Sequence, residues 1–316
     1  MSAAIELNFG TRTSTLARWQ TGYVAKTILQ RWPQVRTTIH PYHTSGDQQL
    51  DAPLPTLGGK GAFTAELEHG LRDGRIDVAV HSLKDLPVAA ADGLTIGAIL
   101  GRADVRDVVI ARDGHTLATL PANATIGTSS LRRSAQLLAY RSDLRTASIR
   151  GNVETRIRKV LDGAYDATIL AAAGVERLKL TQYVTEFLAL DVMLPAPGQG
   201  ALAVQCRADD TRTLELLAAI DNAPVRAAVT VERAFLHALN AGCSAPVAAF
   251  AECDDAGRLT VRGLVSDVDG SSAIAVHGTG TDATALGERL AREAMSRGAE
   301  IVLQHAQALA SHGDPG

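Results

Sequence analysis

Three stretches of this chain repeat one pattern: an aliphatic run that suits a buried strand, then small or hydroxylic residues where the strand would end. They are RIDVAVHSLKDLP (75–87), NATIGTSSLRRSAQLLAY (123–140) and YDATILAAAGVERL (165–178). The last two continue into a helical period, and the first follows the helix-like GAFTAELEHGLRDG (61–74), where Phe63, Leu67 and Leu71 share a face and Gly74 marks the end. Runs such as Ile76, Val78, Ala79 and Val80 are apolar on both sides of a strand, so both faces of the sheet must be covered. Apolar residues make up 46% of the chain and aromatics only 4%, so Ala, Val, Leu and Ile must build the core, as in helix-covered parallel sheets. The fold class is α/β. Ligands of open parallel sheets bind at the carboxyl ends of the strands, which directs attention to Ser82, Lys84 and Asp85 after the first run and to Thr128, Ser129 and Ser130 after the second.

With 316 residues, two or three domains are expected. LPAPGQG (194–200) concentrates Pro and Gly and suits a hinge. From about residue 223 the pattern changes to a helix-like run ending near Asn240, then three strand-like runs separated by DDAG (254–257) and DGSS (269–272), then an Ala/Leu/Arg helix from about 283. The formal charge of −3 excludes a polyanion binder by net charge. MSAAIELNFGTRTS lacks the basic start and apolar run of a signal peptide, and the longest apolar stretch, ATILAAAGV (167–175), falls far short of the ~20 residues a membrane helix needs. A soluble, cytoplasmic protein without membrane or nucleic-acid partners is therefore expected, and a monomer, since no segment reads as an exposed apolar patch. Cys206, Cys243 and Cys253 form no CxxC pair, which argues against a disulfide framework or a zinc site, and His40 and His43 lack a metal-ligand partner at suitable spacing. No metal is expected.

Residues 127–160 carry seven Arg and one Lys against Asp143 and Glu154. Most charge runs are solvated helix faces. Here Arg132, Arg133, Arg150 and Arg156 fall at predicted strand–helix junctions instead. Arg132 and Arg133 in a first helical turn oppose the helix dipole, a conflict that an anionic ligand would resolve. Several planar guanidinium forks imply a ligand with several carboxylates or phosphates. Nucleic acid would call for interleaved aromatics, and Tyr140 stands alone in the stretch.

A set of motifs in order over most of the chain resembles the porphobilinogen deaminase (hydroxymethylbilane synthase) family: GTRTSTLARWQ (10–20), GGKGAFTAELE (58–68), DVAVHSLKDLP (77–87), GTSSLRR (127–133), IRGNVETR (149–156), LPAPGQGALAV (194–204) and ERAFLHALNAGCSAPVAAFA (232–251). The resemblance implies two lobes like those of periplasmic binding proteins plus a small α+β C-terminal domain. It divides the chain into domain one (1–100 with 200–222), domain two (101–199) and domain three (223–316). It implies an enzyme, a transferase of haem and tetrapyrrole biosynthesis, that joins four porphobilinogen units head to tail with loss of ammonia and releases hydroxymethylbilane. The units are added to a covalent dipyrromethane cofactor, held by a thioether to a cysteine. By the match, Cys243 in AGCSAP is that cysteine, on a loop where its sulfur is reachable, while Cys206 and Cys253 sit on strand-like runs as inert thiols. Asp85 is implied as the carboxylate that stabilises positive charge on pyrrole nitrogens and passes protons. Arg12, Arg132, Arg133, Arg150, Arg156 and Arg177, supported by Lys84, Ser14, Gln20, Thr128, Ser129 and Ser130, are implied to bind the acetate and propionate groups. Arg141, Arg145 and Arg158 lie outside the motifs and are left as surface charges. Ala241 stands where the family usually has Gly, and residues 44–60 are rich enough in Gly, Pro and polar groups to form a lid.

A polycarboxylate-binding transport protein or a ligand-sensing regulator could use similar lobes. The first expects a signal peptide and gives Cys243 no task; the second expects a preceding helix-turn-helix. Intact mass separates the three. The purified protein should exceed its sequence mass by two pyrrole units, Cys243→Ala should abolish that excess, and Cys206→Ala and Cys253→Ala should keep it.

Overall fold

The computed structural model describes residues 5–43, 64–242 and 245–311. Cys243 and the proposed 44–60 lid lie outside the described residues. By spatial contacts the chain divides into two compact units, residues 1–103 with 201–226, and residues 104–200 with 227–316.

The first unit opens with β1 (Ile5–Arg12), α1 (Thr15–Arg31) and β2 (Val35–Tyr42), followed by α2 (Ala65–Arg72), β3 (Val78–Ser82) and β4 (Leu94–Ile99). Helix α1 begins at Ser14, whose side chain accepts a hydrogen bond from the Ala17 amide, and ends at Trp32, which precedes Pro33. Its Val24, Ala25 and Ile28 join Leu7, Phe9, Val78 and Val80 in one buried cluster. Helix α2 starts its burial at Leu67 and Leu71, which pack with Ile76 and Ala79; Phe63 is outside the described residues.

The chain then forms the second sheet: β5 (Asp107–Ala111), β6 (Thr125–Gly127), α3 (Leu131–Tyr140), β7 (Arg145–Ala147), α4 (Val153–Leu161), β8 (Ala167–Ala171), α5 (Ala172–Arg177) and β9 (Glu186–Phe187). It returns to the first unit as β10 (Leu202–Arg207) and α6 (Thr211–Ala218). Strand order is β2-β1-β3-β10-β4 in one sheet and β7-β6-β8-β5-β9 in the other. In each, three strands pair in parallel, and the strand formed after a change of unit, β10 or β5, runs antiparallel to both neighbours. The sheets are therefore mixed, whereas the aliphatic runs suggested parallel ones. A strand that arrives by a long detour is free of the helical crossover that makes consecutive strands parallel.

Both sheets use one further device. At the start of β3, Asp77 accepts from the Asn8 amide of β1 at 2.8 Å and pairs with Arg207 at 3.0 Å. Just before β8, Asp166 accepts from the Thr125 amide of β6 at 2.7 Å and faces Arg112 at 3.6 Å.

The remaining residues form α7 (Ala223–Ala238), an antiparallel sheet of β11 (Val247–Cys253), β12 (Leu259–Ser266) and β13 (Ala273–Gly280), then α8 (Ala283–Ser296) and α9 (Ala299–Ser311). The two expected hairpins close on Gly257 N–H to Asp254 and Gly270 N–H to Asp267 backbone bonds. Helix α8 crosses α7 at Gly287, where an added Cβ would lie 2.6 Å from the Val231 carbonyl oxygen and 2.8 Å from the Phe235 nitrogen. Backbone cannot move aside as a side-chain tip can. Gly287→Ala should therefore lower stability by about 1–3 kcal/mol, the scale of overpacking. Gly280→Ala, whose Cβ would meet only Leu286 at ordinary distance, should leave the melting temperature nearly unchanged. Equal melting curves for the two variants would contradict the crossing.

Candidate active site

In the first unit, β1, β2 and β3 run parallel, so their carboxyl ends lie along one edge and bring Arg12, Tyr42 and Ser82 there. Behind this edge Gln20, only 3% exposed, donates to the Ser82 hydroxyl at 2.8 Å. Ser14 is occupied as the cap of α1. After Ser82 the chain makes one 3₁₀ turn, Leu83–Asp85, closed by the Leu86 amide on the Leu83 carbonyl at 3.1 Å. Leu83 and Leu86 are buried and anchor the turn; Lys84 is half-buried and Asp85 exposed. The Asp85 carboxylate has no protein partner among the described residues. An aspartate that merely capped this turn would spend its oxygens on backbone amides, and this one does not.

Next to this turn, His81 is buried on β3 and lies 3.1 Å from the Gln205 side-chain oxygen on β10. Burial, helped by the positive charge of Arg12 and opposed by the Gln205 hydrogen bond, pushes its pKa down to about 4. Neither residue stands out in the sequence. Their signal, two polar side chains in otherwise aliphatic strands, is visible only once the strands are known to pair.

In the second unit, β6 and β7 end side by side at Gly127 and Ala147, and the polar residues after each strand form a connected edge. The Thr128 amide donates to the Ala147 carbonyl at 2.8 Å, and its hydroxyl accepts from the Ser130 amide at 3.2 Å. Ser129 Oγ accepts from the Ile149 amide at 3.1 Å and lies 3.0 Å from the Ser148 hydroxyl. Helices α3 and α4 start here, and neither Ser130 nor Asn152 caps its helix through a side chain. First-turn amides without a side-chain acceptor favour an anion. Arg150 lies between β7 and α4, its pKa lowered by burial; Arg156 donates from Nε to the Gly151 carbonyl at 2.8 Å. Arg177, closing α5, donates to the Gly200 carbonyl at 2.8 Å. Arg145 and Arg158 are exposed. Arg141, expected as a free surface charge, pairs with Asp143 at 2.6 Å and donates to the carbonyls of Leu117, Ala118 and Leu120.

Arg132 and Arg133 are placed differently from a ligand-facing pair open to solvent. They are 5% and 7% exposed and both bond Asp107, at 2.7 and 2.8 Å. Burial lowers the Arg132 pKa, the Asp107 charge acting against it and the Arg133 charge with it. The anion that the helix-dipole conflict calls for is thus present in the protein itself, in a strand far away in sequence.

The segment containing Cys243 is described up to its flanks. Helix α7 is followed by Asn240 in the left-handed region, φ 50°, a usual helix end. Ala241 has no positive φ, so a methyl group there meets no backbone conflict. Glu232 of α7 accepts from the Ala251 amide of β11 at 2.7 Å and from the Gly198 amide at 2.7 Å, which fastens both sides of the segment. Cys206 is buried and its thiol is pushed up to about 11, chiefly by burial; Cys253 is half-buried. Among the described residues no cluster of His, Cys, Asp and Glu could hold a metal ion, and no helix is long and apolar enough to cross a membrane.

Residues 7–215 match the family profile "Porphobilinogen deaminase, dipyromethane cofactor binding domain", and residues 226–296 match "Porphobilinogen deaminase, C-terminal domain". The chain belongs to the porphobilinogen deaminase family. The porphobilinogen deaminase of Brevibacillus brevis is 48% identical over 294 residues, 93% of this chain and 95% of the relative. That of Moorella thermoacetica is 45% identical over 306 residues, 96% of this chain and 97% of the relative. Among solved structures, the LysR-family regulator CbnR gives a TM-score of 0.42 at 14% identity, covering 69% of this chain and 71% of that one. A TRAP periplasmic solute-binding protein from Desulfovibrio salexigens gives 0.40 at 11%, covering 69% and 73%.

The His81 environment carries a pH signature. With a folded value of about 4 against 6.5 when unfolded, the unfolded chain binds the extra proton between those values. Stability should be full above pH 6.5 and fall as the pH drops toward 4, by up to about 3 kcal/mol from this residue. His81→Gln should flatten that part of the melting-temperature profile. An unchanged slope would place the imidazole in contact with water.

Proposed function

We propose that this chain performs the family reaction with the residues described above: head-to-tail joining of porphobilinogen with loss of ammonia, and hydrolytic release of hydroxymethylbilane. The dipyrromethane group, joined through Cys243, supplies the primer to which substrate units are added. The chemistry of the donor set fits such a group, which carries acetate and propionate carboxylates. Two helix starts without a side-chain cap, the Ser129 and Ser130 hydroxyls, Thr128, and Arg150 and Arg156 stand along one edge of the second sheet. Arg12 and Lys84 stand along the corresponding edge of the first. These residues would hold carboxylates, together with the N–H donors of Arg132 and Arg133 that Asp107 and the backbone carbonyls leave over. Gln20 acts through the Ser82 hydroxyl, Ser14 by starting α1, and Arg177 by bonding the Gly200 carbonyl. Residues 223–316 are proposed as a third domain carrying Cys243, and the working form as a cytoplasmic monomer, which sedimentation can check.

The observation that carries the mechanism is the exposed Asp85 carboxylate, without a protein partner among the described residues and held on a turn whose own hydrogen bond is made without it. Acetate and propionate would be repelled by it. Its favourable partners are pyrrole N–H groups and the positive charge that develops on them, and it can accept the proton lost when a carbon–carbon bond has formed.

Asp85→Asn keeps the size and an acceptor and removes the charge. With cofactor supplied preassembled, the variant should load normally, yet single-turnover elongation followed by intact mass should slow by at least ~10²-fold. Asp85→Glu should retain more activity than Asn. Stepwise addition at the normal rate by Asp85→Asn would remove Asp85 from the mechanism.

A further inference from the structure

Asp107 is the first residue of β5 and is fully buried. Its Oδ2 accepts from Arg132 Nη2 at 2.7 Å and Arg133 Nε at 3.3 Å, and its Oδ1 accepts from Arg133 Nη2 at 2.8 Å and Gln199 Nε2 at 2.9 Å. The outer ends of the network are backbone. Arg132 Nη1 donates to the Leu194 carbonyl at 2.6 Å, Arg133 Nη1 to the Ile169 carbonyl at 2.9 Å, and Gln199 to the Val105 carbonyl at 2.8 Å. Gln136, one turn along α3, brackets Leu194 by accepting from its amide at 2.7 Å and donating to its carbonyl at 3.1 Å. The network therefore joins the start of α3 to residues 105–107, just after the chain enters this unit, and to 194–199, just before it leaves.

A guanidinium has five N–H donors in a rigid plane. Asp107 and the Leu194 carbonyl take the Nη1–Nη2 edge of Arg132, while Asp107 takes the Nε–Nη2 edge of Arg133 and the Ile169 carbonyl its Nη1; this fixes the direction of each plane and leaves a second N–H on the terminal nitrogens of both. Nothing else on α3 could do so, since Ser134 and Gln136 carry no charge. A buried carboxylate with this many charge-assisted bonds also keeps the two like charges of Arg132 and Arg133 close together without mutual ejection.

Resting on the functional reading above, we infer that Asp107 is a positioning residue for substrate binding: it sets the two guanidiniums of Arg132 and Arg133 so that their remaining donors meet carboxylates of the pyrrole chain, with Gln199 and Gln136 holding the adjoining backbone in register. Its effect belongs to recognition, and Asp107 itself touches no reacting atom. Substrate carboxylates are equally present in the ground and transition states, so loss of this alignment should appear mainly in KM.

The test uses the full chain loaded with preassembled cofactor, with loading scored by intact mass and porphobilinogen as the substrate. The proteins are wild type, Asp107→Asn, Asp107→Glu and, as a control for stability alone, Asp166→Asn, which removes charge from the strand lock of the same unit. Asp107→Asn should raise KM by at least ~10-fold, the cost of misaligning a charge-assisted contact, while kcat per loaded enzyme changes by less than ~3-fold. Asp107→Glu, which restores the charge one methylene away, should fall between Asn and wild type. Asp166→Asn should lower the melting temperature with KM unchanged. If Asp107→Asn fails to fold, a raised KM in Asp107→Glu supports the assignment. A wild-type KM in either folded Asp107 variant, with only the melting temperature lowered, overturns it and leaves Asp107 as fold support. A wild-type protein that loads no cofactor and consumes no porphobilinogen would instead sink the functional reading, and this assignment with it.

Discussion

Burying two guanidiniums is costly unless a carboxylate meets them, and in the second unit one does. Asp107 lies at the head of a strand whose five residues are all buried, and around it gather the start of α3, the carbonyls of Leu194 and Ile169, and Gln199. A strand, a helix start and two crossing segments are thereby held by bonds that fail together if the charge is lost. The helices and hydroxyl-rich loops that follow β6 and β7 take their positions from this fixed base.

The first unit solves a related problem without buried charge. Its edge is set by Gln20 on Ser82 and by His81 beside Gln205, neutral pairs inside an aliphatic core. Neutral groups leave the local field to the residues at the rim, Arg12, Lys84 and Asp85. Under the proposed mechanism, that division suits a carboxylate that responds to charge appearing on a substrate, since nearby buried ions would compensate it in advance.

Much of the fold was legible because local patterns agreed with it. The aliphatic runs at 78–82, 125–127 and 167–171 are strands, and the chain reverses at DDAG (254–257) and at DGSS (269–272), where the second turn begins two residues earlier, at Asp267. Strand direction was not legible: β10 is an apolar run like the others, and nothing local in LAVQCR says which neighbours it will have. The hydroxyls and arginines proposed for the rim of the site were readable as residues that follow strands. The residues beneath it were not, because an aspartate at 107 and a glutamine at 199 acquire meaning only from partners 25 and 92 positions away. Arg132 and Arg133 show the limit most clearly. Their conflict with the helix dipole is visible in the sequence, and the carboxylate beside them, Asp107, is not.

Strand β10 occupies the interior of the first sheet, between β3 and β4, and among the described residues β4 has no other strand neighbour. During synthesis the first hundred residues therefore emerge with a gap in their sheet, and the residues that fill it follow only after all of β5 to β9. The second sheet, by contrast, draws its strands from the continuous stretch 107–187 and can pair as it is made. The ribosome thus delivers the first unit early and completes it late, so a chain halted before residue 202 would carry two unfilled strand edges, open to pairing with other chains.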